Sequence, residues 1–599
     1  MMNRKPVRPL FRPLFRPLVG PLVGPLCAAC VLLLSASSGS RADVSLPALI
    51  ADNMVLQRGV PLPLGGSADP GEAITLSVAG QTAQVVAGPE GRWVVHLPPL
   101  TAGGPFTLTV TGKNVVTVKN VLVGEVWVCS GQSNMGYPLA IASTGPAAVA
   151  ASANPQLRLF QVPLNFSNVP LSDTKSAWRT AGPTTTGGFS AVGYFFGRDL
   201  QKALGVPVGL IESDVGGTPG QLWTPQATLA AEPILKQTYL GGYETAFEQF
   251  TKATADWQVA SKAARESGKP IPYKPDPPPH PASLYNGMIA PLTRSAIRGV
   301  IWYQGESNTD NPPAYRRLLP ALIQSWRTAW EEPLLPFLIV QIAPWRDEFD
   351  PGVSRAELRQ AQWETVLTTP RTGLAVTTDV GDEKDLHPRD KETVGARLSL
   401  LALNIAYGQK IVAQGPTLRQ VTRHGNTVLL RFDNVGSGLV ARGGMSSGTP
   451  VPDGVPVGFT LAGPDGKPQA AAARIISRDT VAVSSPEVTE PQTVAYGFVN
   501  YPVVNLWNKN GLPAVPFRTA VKPYSPGGKA LTEGQFQGVS VTSTQVIPAV
   551  SGTGYAPRSR AMDFFKWYVP IPAGRAGCST RSRPCGVKAV RGERPARTV

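Results

Sequence analysis

The sequence predicts a doubly wound α/β domain with a β-domain on either side. Three observations carry that expectation. Continuous apolar strands alternate with helices of period 3.6 from about residue 121 to residue 408. Short alternating strands cut by Gly and Pro turns occupy the text before and after that stretch. Finally, polar and small residues gather just beyond the ends of the apolar strands, where open α/β sheets bind their ligands. In 599 residues, 42% hydrophobic and 16% charged, the 61 Gly and 60 Pro stay below the share that marks disorder, which excludes a collagen, a coiled coil and a disordered tail protein. No apolar run of about 20 residues follows residue 45, which excludes a polytopic membrane protein.

Taken in order, residues 1–42 read as a signal peptide. A basic stretch leads into the apolar run Leu26–Ala36, and Ser40-Arg41-Ala42 offers a small-x-small cleavage site before Asp43. Cys27 and Cys30 lie within or ahead of that run, which disfavours a lipid-anchored cysteine. The expected compartment is outside the cytoplasm, periplasmic or secreted. Residues 43–120 read as a small β-sandwich, with turns at Asp69-Pro70-Gly71 and Gly88-Pro89-Glu90-Gly91 between alternating runs such as Trp93–Leu97.

Residues 121–408 carry the α/β pattern. Val121–Cys129 is a buried parallel strand, Ser190 caps a helix through Leu204, and Val208–Ile211 and Ile297–Tyr303 are further strands. Tyr315, Leu318, Leu319, Leu322, Ile323 and Trp326 recur at helical spacing. Phe337–Ile342 and Leu374–Thr378 are strands, and Leu358–Val366 and Thr393–Ala406 are helices. Within this domain, about 230–284 reads as a helical insertion marked by Tyr243, Phe247, Phe250 and Trp257 and closed by a Pro-rich linker, with packing its first role and covering a substrate its second. Residues 409–525 return to strands and turns as a C-terminal β-domain, and residues 526–599 form a poorly ordered basic tail.

The net charge of +16 suggests nucleic acid until it is placed along the chain. The two ends, 1–42 and 557–599, hold fourteen of the sixteen charges, so the body has no basic surface of that kind and no nucleic-acid partner is expected. Nor is an integral membrane segment expected after signal removal, and the oligomeric state stays open. Only Cys129 of the five cysteines falls in the body, so no disulfide framework is expected. Neither a metal site nor a cofactor is expected, because no Cys/His cluster has ligand spacing.

Four strand ends hold the residues that could do chemistry. Ser130-Gly131-Gln132-Ser133-Asn134-Met135 follows the first strand, where a Ser at a strand-to-helix turn exposes its hydroxyl above the sheet edge, or else caps a helix. Asp214-Val215-Gly216-Gly217-Thr218 follows the second, and its glycines let backbone amides approach a ligand or simply make a turn. Gln304-Gly305-Glu306-Ser307-Asn308 follows the third, with an amide that either donates to an oxyanion or stabilises a buried turn. Asp382-Glu383-Lys384-Asp385-Leu386-His387 follows the last. A carboxylate two residues before a His can accept its Nδ1–H and leave Nε2 to take a proton from a serine. Of the four histidines, His96 and His424 fall in β-domain text and His280 in the Pro-rich linker, so only His387 sits at a strand end of the α/β domain.

Gly124-Glu125-Val126-Trp127-Val128-Cys129-Ser130-Gly131-Gln132-Ser133-Asn134-Met135, Gly216-Gly217-Thr218, Tyr285-Asn286-Gly287-Met288, Trp302-Tyr303-Gln304-Gly305-Glu306-Ser307-Asn308 and Asp385-Leu386-His387-Pro388 together resemble the sialate O-acetylesterase family of SGNH hydrolases. The likeness runs from Leu46 to about Arg518. It implies an SGNH-hydrolase, flavodoxin-like fold with a three-layer α/β/α catalytic domain. It further implies Ser133 as nucleophile and His387 as base, oriented by Asp385. The N–H of Ser133, the N–H of Gly217 or Gly216 and the Gln304 side chain would bind the oxyanion. The general pattern places the acid three residues before the His, where this chain has Lys384, so Asp385 and Asp382 both stand as candidates. Gln132, Asn134, Glu306, Asn308 and Arg359 would bind substrate or brace the site, and Gln362 beside Arg359 would anchor a loop.

The resemblance implies a carbohydrate O-acetylesterase acting on acetylated glycans, sialic acid or a plant cell-wall polysaccharide such as xylan, through an acetyl-serine. A glycan-binding protein with a vestigial serine site is the alternative from another class. An α/β-hydrolase lipase is disfavoured, because Gly131-Gln132-Ser133-Asn134-Met135 lacks the second Gly of a nucleophile elbow.

Overall fold

The computed structural model describes residues 43–521 apart from residue 351, so the expectations for the signal segment and for the basic tail lie outside the described residues. Strand β1 (Val115–Gly131) is the axis of the molecule. Its first residues alternate between exposed and buried, whereas residues 121–131 are all buried, as a strand covered on both faces requires. The expected boundary at residue 120 therefore falls inside one continuous strand. The N-terminal half of β1 pairs antiparallel with Gly103–Thr111, and its C-terminal half enters the parallel sheet.

That sheet adds β2 (Asn154–Gln161), β3 (Arg179–Ala181), β4 (Val208–Asp214), β5 (Gly299–Tyr303), β6 (Phe337–Val340) and β7 (Thr372–Ala375). The spatial order is β7-β6-β5-β1-β4-β2-β3, with every neighbouring pair parallel except β2 and β3. From β1 the chain first builds outward through β2 and β4, then crosses to β5 on the other side. The C-terminal end of β1 is thus the point where strand order reverses, the place at which open α/β sheets bind their ligands.

Successive residues of each strand feed different cores. Trp127, Leu210, Ile301 and Val340 join Phe195 and Phe196 of α1 (Ala191–Leu204) with Leu398 and Leu401 of the closing helix Glu392–Ile405. Val128, Ile211, Trp302 and Ile339 join Leu318, Leu322 and Trp326 of the helix Pro312–Ala329 and Leu358 of the helix Ser354–Thr368. The period of two in the strands and 3.6 in the helices are thus satisfied together. Trp302 and Trp326 meet edge-to-face with ring centroids 5.7 Å apart, and truncating either would cost roughly 3–5 kcal/mol. Ser190 caps α1 as its sequence predicts, accepting the Gly193 N–H at 3.0 Å. Its hydroxyl also donates to the Met135 carbonyl at 2.6 Å, which ties the helix start to the turn after β1.

Before β1, Leu62–Ser67 pairs with Arg92–Leu97, and Ala73–Val78 pairs with Gln81–Val86 and Gly103–Thr111. Their inward residues, Leu64, Trp93 and Val95 from one pair and Ile74, Leu76 and Val110 from the other, share one core. After the closing helix, two four-stranded antiparallel sheets, one built on Thr427–Asp433 and one on Phe459–Ala462, enclose Leu430, Val481, Leu461, Val494 and Phe517. The insertion is a 25-residue helix, Gly242–Glu266, whose buried residues are Ser261 and Ala264. It packs on its own Pro-rich return: the Tyr243 ring meets His280 at 4.7 Å, and the Trp257 Nε1–H donates to the Pro272 carbonyl at 2.8 Å.

Candidate active site

Gly131 ends β1 with φ +143, and a Cβ there would lie 2.1 Å from the Tyr303 carbonyl oxygen, so only glycine lets β1 turn this tightly against β5. The chain then folds back with Met135 and Gly136 both donating to the Gln132 carbonyl, and the turn carries Ser133 at its crest. Gly136 rests against the Asp214 carboxyl, where an added Cβ would meet Oδ1 at 2.0 Å. Burial, and then the neighbouring Glu212, push the Asp214 carboxyl well above the usual range.

On the last loop, His387 Nε2 stands 2.8 Å from the Ser133 Oγ. Burial, and after it the charge of Lys391, hold the imidazole below its ordinary value, so the neutral ring that accepts a serine proton is favoured. The Asp385 carboxylate accepts the His387 main-chain N–H at 2.8 Å and lies 3.7 Å from Nδ1. Asp382 does not reach the ring: its Oδ1 accepts the N–H groups of Lys384 and Asp385 and shapes the loop. Of the two acids, Asp385 is the one brought to His387.

Gly216 lies directly against the serine, since a Cβ built on it would sit 3.4 Å from the Ser133 Cβ. Gly217 takes φ +71, a left-handed turn that presents consecutive N–H groups. Among the backbone hydrogen bonds of the described residues, none uses the N–H of Ser133, Gly216 or Gly217.

Gln304 is placed differently from its expected role as an oxyanion donor. It is fully buried, and its two amide hydrogens go to Asn308 Oδ1 at 2.7 Å and the Thr218 carbonyl at 3.3 Å, while its Oε1 accepts from the Tyr315 hydroxyl. Asn308 in turn accepts the Gly220 N–H at 2.8 Å, so the pair fastens the glycine turn to the end of β5. The physical reason is competition: a neighbouring carboxamide captures the donor before any substrate does.

The other expected substrate or bracing residues are built into the wall. Gln132 Oε1 accepts the N–H groups of Gly305 and Ser307. Asn134 donates to Glu306 Oε1 at 2.7 Å and to the Leu386 carbonyl at 3.1 Å. Glu306 is 7% exposed, and its Oε2 has no hydrogen-bond partner among the described residues. Arg359 is fully buried and donates to the carbonyls of Val499 and Asn500, so it ties the helix Ser354–Thr368 to the C-terminal strands. Gln362 accepts the Ile342 N–H and donates to the Gln304 carbonyl.

Two features were missed by reading the sequence. Lys391, fully buried, donates to Asn134 Oδ1 at 2.5 Å, and burial lowers its ammonium to about 7. It precedes the helix Glu392–Ile405, where the helix dipole disfavours a cation, and a lysine at that position was the available signal. The second is a clamp from the C-terminal strand region onto the histidine loop. Ser447 donates to the Thr378 carbonyl at 2.8 Å and accepts the Gly381 N–H at 2.9 Å, while its own N–H donates to the Asp379 carbonyl. Asp379 is held from below by a two-pronged bridge to Arg397, both contacts at 2.7 Å.

A family model described as carbohydrate esterase, sialic acid-specific acetylesterase, matches residues 262–400, which include Gln304, Glu306, His387 and Lys391. The rat protein named sialate O-acetylesterase is 32% identical over 435 residues, covering 65% of this chain and 79% of its own length. The chain belongs to the sialate O-acetylesterase family. The human sialate O-acetylesterase is 30% identical over 431 residues, 64% of this chain and 75% of that one. Among solved structures, a carbohydrate acetylesterase from Xanthomonas citri superposes with a TM-score of 0.68 at 38% identity, covering 80% of this chain and 99% of that one. Membership of the sialate O-acetylesterase family makes the protein an ester hydrolase, and the central mixed sheet with Ser133 at the end of its axial strand fits an SGNH-like fold.

Proposed function

We propose that the protein is an exported carbohydrate O-acetylesterase that works through an acetyl-Ser133 intermediate. The observation that carries this reading is the 2.8 Å approach of His387 Nε2 to the Ser133 Oγ beside three unused backbone N–H groups. His387 takes the Ser133 proton as Oγ bonds to the acetyl carbonyl carbon, and the oxyanion settles against the N–H groups of Ser133, Gly216 and Gly217. The tetrahedral intermediate collapses when the protonated His387 gives its proton to the departing sugar oxygen. Water then attacks acetyl-Ser133 with His387 as base, releasing acetate and restoring the serine hydroxyl.

The architecture that goes with this function is a three-layer SGNH domain with a β-sandwich domain on either side, the first running into it through the continuous strand β1. Export rests on the signal-like text of residues 1–42. The substrate is an acetylated glycan, as the names of the rat and Xanthomonas relatives suggest for their own proteins. Acetate release across acetylated sialosides, xylan and xyloglucan tests it and selects the glycan. Ser133→Ala and His387→Ala should each abolish release with thermal unfolding little changed. Release that persists in Ser133→Ala overturns the acetyl-serine, and no release from any ester by the intact protein leaves the glycan-binding alternative standing.

A further inference from the structure

Lys391 stands where a lysine is costly. It is fully buried, it occupies the N-terminal end of the helix Glu392–Ile405 against the helix dipole, and among the described residues its Nζ donates to one acceptor, Asn134 Oδ1 at 2.5 Å. The rest of the ammonium is faced by aromatic rings, Tyr137 at 4.8 Å and Tyr303 at 5.5 Å from Nζ to centroid. Asn134 is the residue after Ser133, and its remaining polar atom donates to Glu306 Oε1 and to the carbonyl of Leu386, the residue before His387.

One carboxamide therefore joins three segments: the serine turn, the turn after β5 and the histidine loop. Lys391 fixes which way that carboxamide faces, because an ammonium accepts nothing and only the Asn134 oxygen can meet it. With Oδ1 held there, Nδ2 must point to Glu306 and Leu386. We propose that Lys391 is a positioning residue of the Ser133–His387 site, locking Asn134 between the serine turn and the histidine loop and placing a cation beside that loop.

The proposal rests on the Ser133–His387 reading of the site and adds a role that the sequence motifs do not contain. The charges facing His387 are Lys391, which disfavours the imidazolium, and Glu306 and Asp385, which favour it. Those facing Lys391 are Glu306, Asp385 and Asp390, all acidic. Lys391 and Glu306 thus act on the same imidazole with opposite sign. A residue that merely filled space would have no such signature.

The test is the pH profile of kcat/KM for acetate release by the full chain and by Lys391→Met, Lys391→Arg, Glu306→Gln and the Lys391→Met/Glu306→Gln double variant, with Ser133→Ala as control. Lys391→Met should move the acid limb to higher pH, by on the order of one unit, and Glu306→Gln should move it to lower pH. The double variant should return the limb close to that of the parent, and Lys391→Arg should keep the parent limb even where kcat falls. An unmoved limb in Lys391→Met, or a shift in the same direction for both single variants, overturns the proposal. If Lys391→Met does not fold, Glu306→Gln decides, and an acid limb that fails to move down overturns it. Activity in Ser133→Ala would instead overturn the serine reading itself, whereas an inactive Ser133→Ala with unmoved limbs overturns the role of Lys391 alone.

Discussion

Asp385 holds His387 by its backbone more firmly than by its ring: the carboxylate accepts the His387 N–H at 2.8 Å but stands 3.7 Å from Nδ1. The Asp385 side chain is 54% exposed, so water screens the charge it offers to an imidazolium. The histidine's place in the site therefore comes as much from the shape of the 382–387 loop as from an acid behind the ring.

Asp385→Asn should lower kcat/KM by about 5–30-fold, roughly 1–2 kcal/mol of transition-state stabilisation, because the amide still accepts the His387 N–H while the charge is lost. Asp382→Asn should stay within about twofold, since an amide oxygen can still accept from Lys384 and Asp385. Steady-state kinetics of the pair checks this. A larger loss in Asp382→Asn than in Asp385→Asn would make Asp382 the orienting acid.

Activity should persist to lower pH than an ordinary imidazole allows. The base must be neutral, and burial together with Lys391 disfavours its charged form, so the acid limb of kcat/KM should lie below pH 6.5. Stability follows the same sign. Between the folded value of His387 and 6.5 the unfolded chain binds more protons, so this group's contribution is present above 6.5 and lost as pH falls through that window. A limb at or above 6.5 would contradict the placement of His387.

The contact of Ser447 with the histidine loop should matter for turnover as well as for stability. Ser447 is 2% exposed and makes three hydrogen bonds to residues 378–381, at the base of the histidine loop. Ser447→Ala keeps the backbone bond but leaves the Thr378 carbonyl and the Gly381 N–H short of a partner, at a cost of about 1–3 kcal/mol. Thermal denaturation should show that loss, and kcat should fall several-fold while KM changes less. Unchanged kcat in a destabilised Ser447→Ala would mean that the clamp does not reach His387.

The strands and helices were legible because their periods are strong and local, and Ser133, Gly216, Gly217 and His387 were legible because each follows a strand whose end could be read. What sequence could not supply was partnership across distance. Arg359 donates to carbonyls about 140 residues further on. Lys391 looked like one more charge in Arg389-Asp390-Lys391-Glu392, and only folding puts it under two tyrosine rings. The continuation of β1 through residues 115–120 was hidden for the opposite reason: its pattern changes from alternating to continuous within one strand, which reads as a boundary.

Gln304 provides the sharpest separation between a residue that stabilises charge and one that holds a wall. Removing an oxyanion donor costs about 10²–10³ in kcat with little change in stability. Gln304, with both amide hydrogens on Asn308 and Thr218 and its oxygen on Tyr315, should behave otherwise. Truncation leaves the Thr218 carbonyl without that donor and opens a buried space between β5 and the glycine turn, so Gln304→Ala should lower unfolding stability by about 2–4 kcal/mol. Activity should fall by about tenfold or less, because Ser133, Gly216 and Gly217 still present their N–H groups. Differential scanning calorimetry and kcat on the same preparation decide the matter: a variant with an unchanged Tm and a kcat loss of 10²–10³ would restore Gln304 to the oxyanion hole.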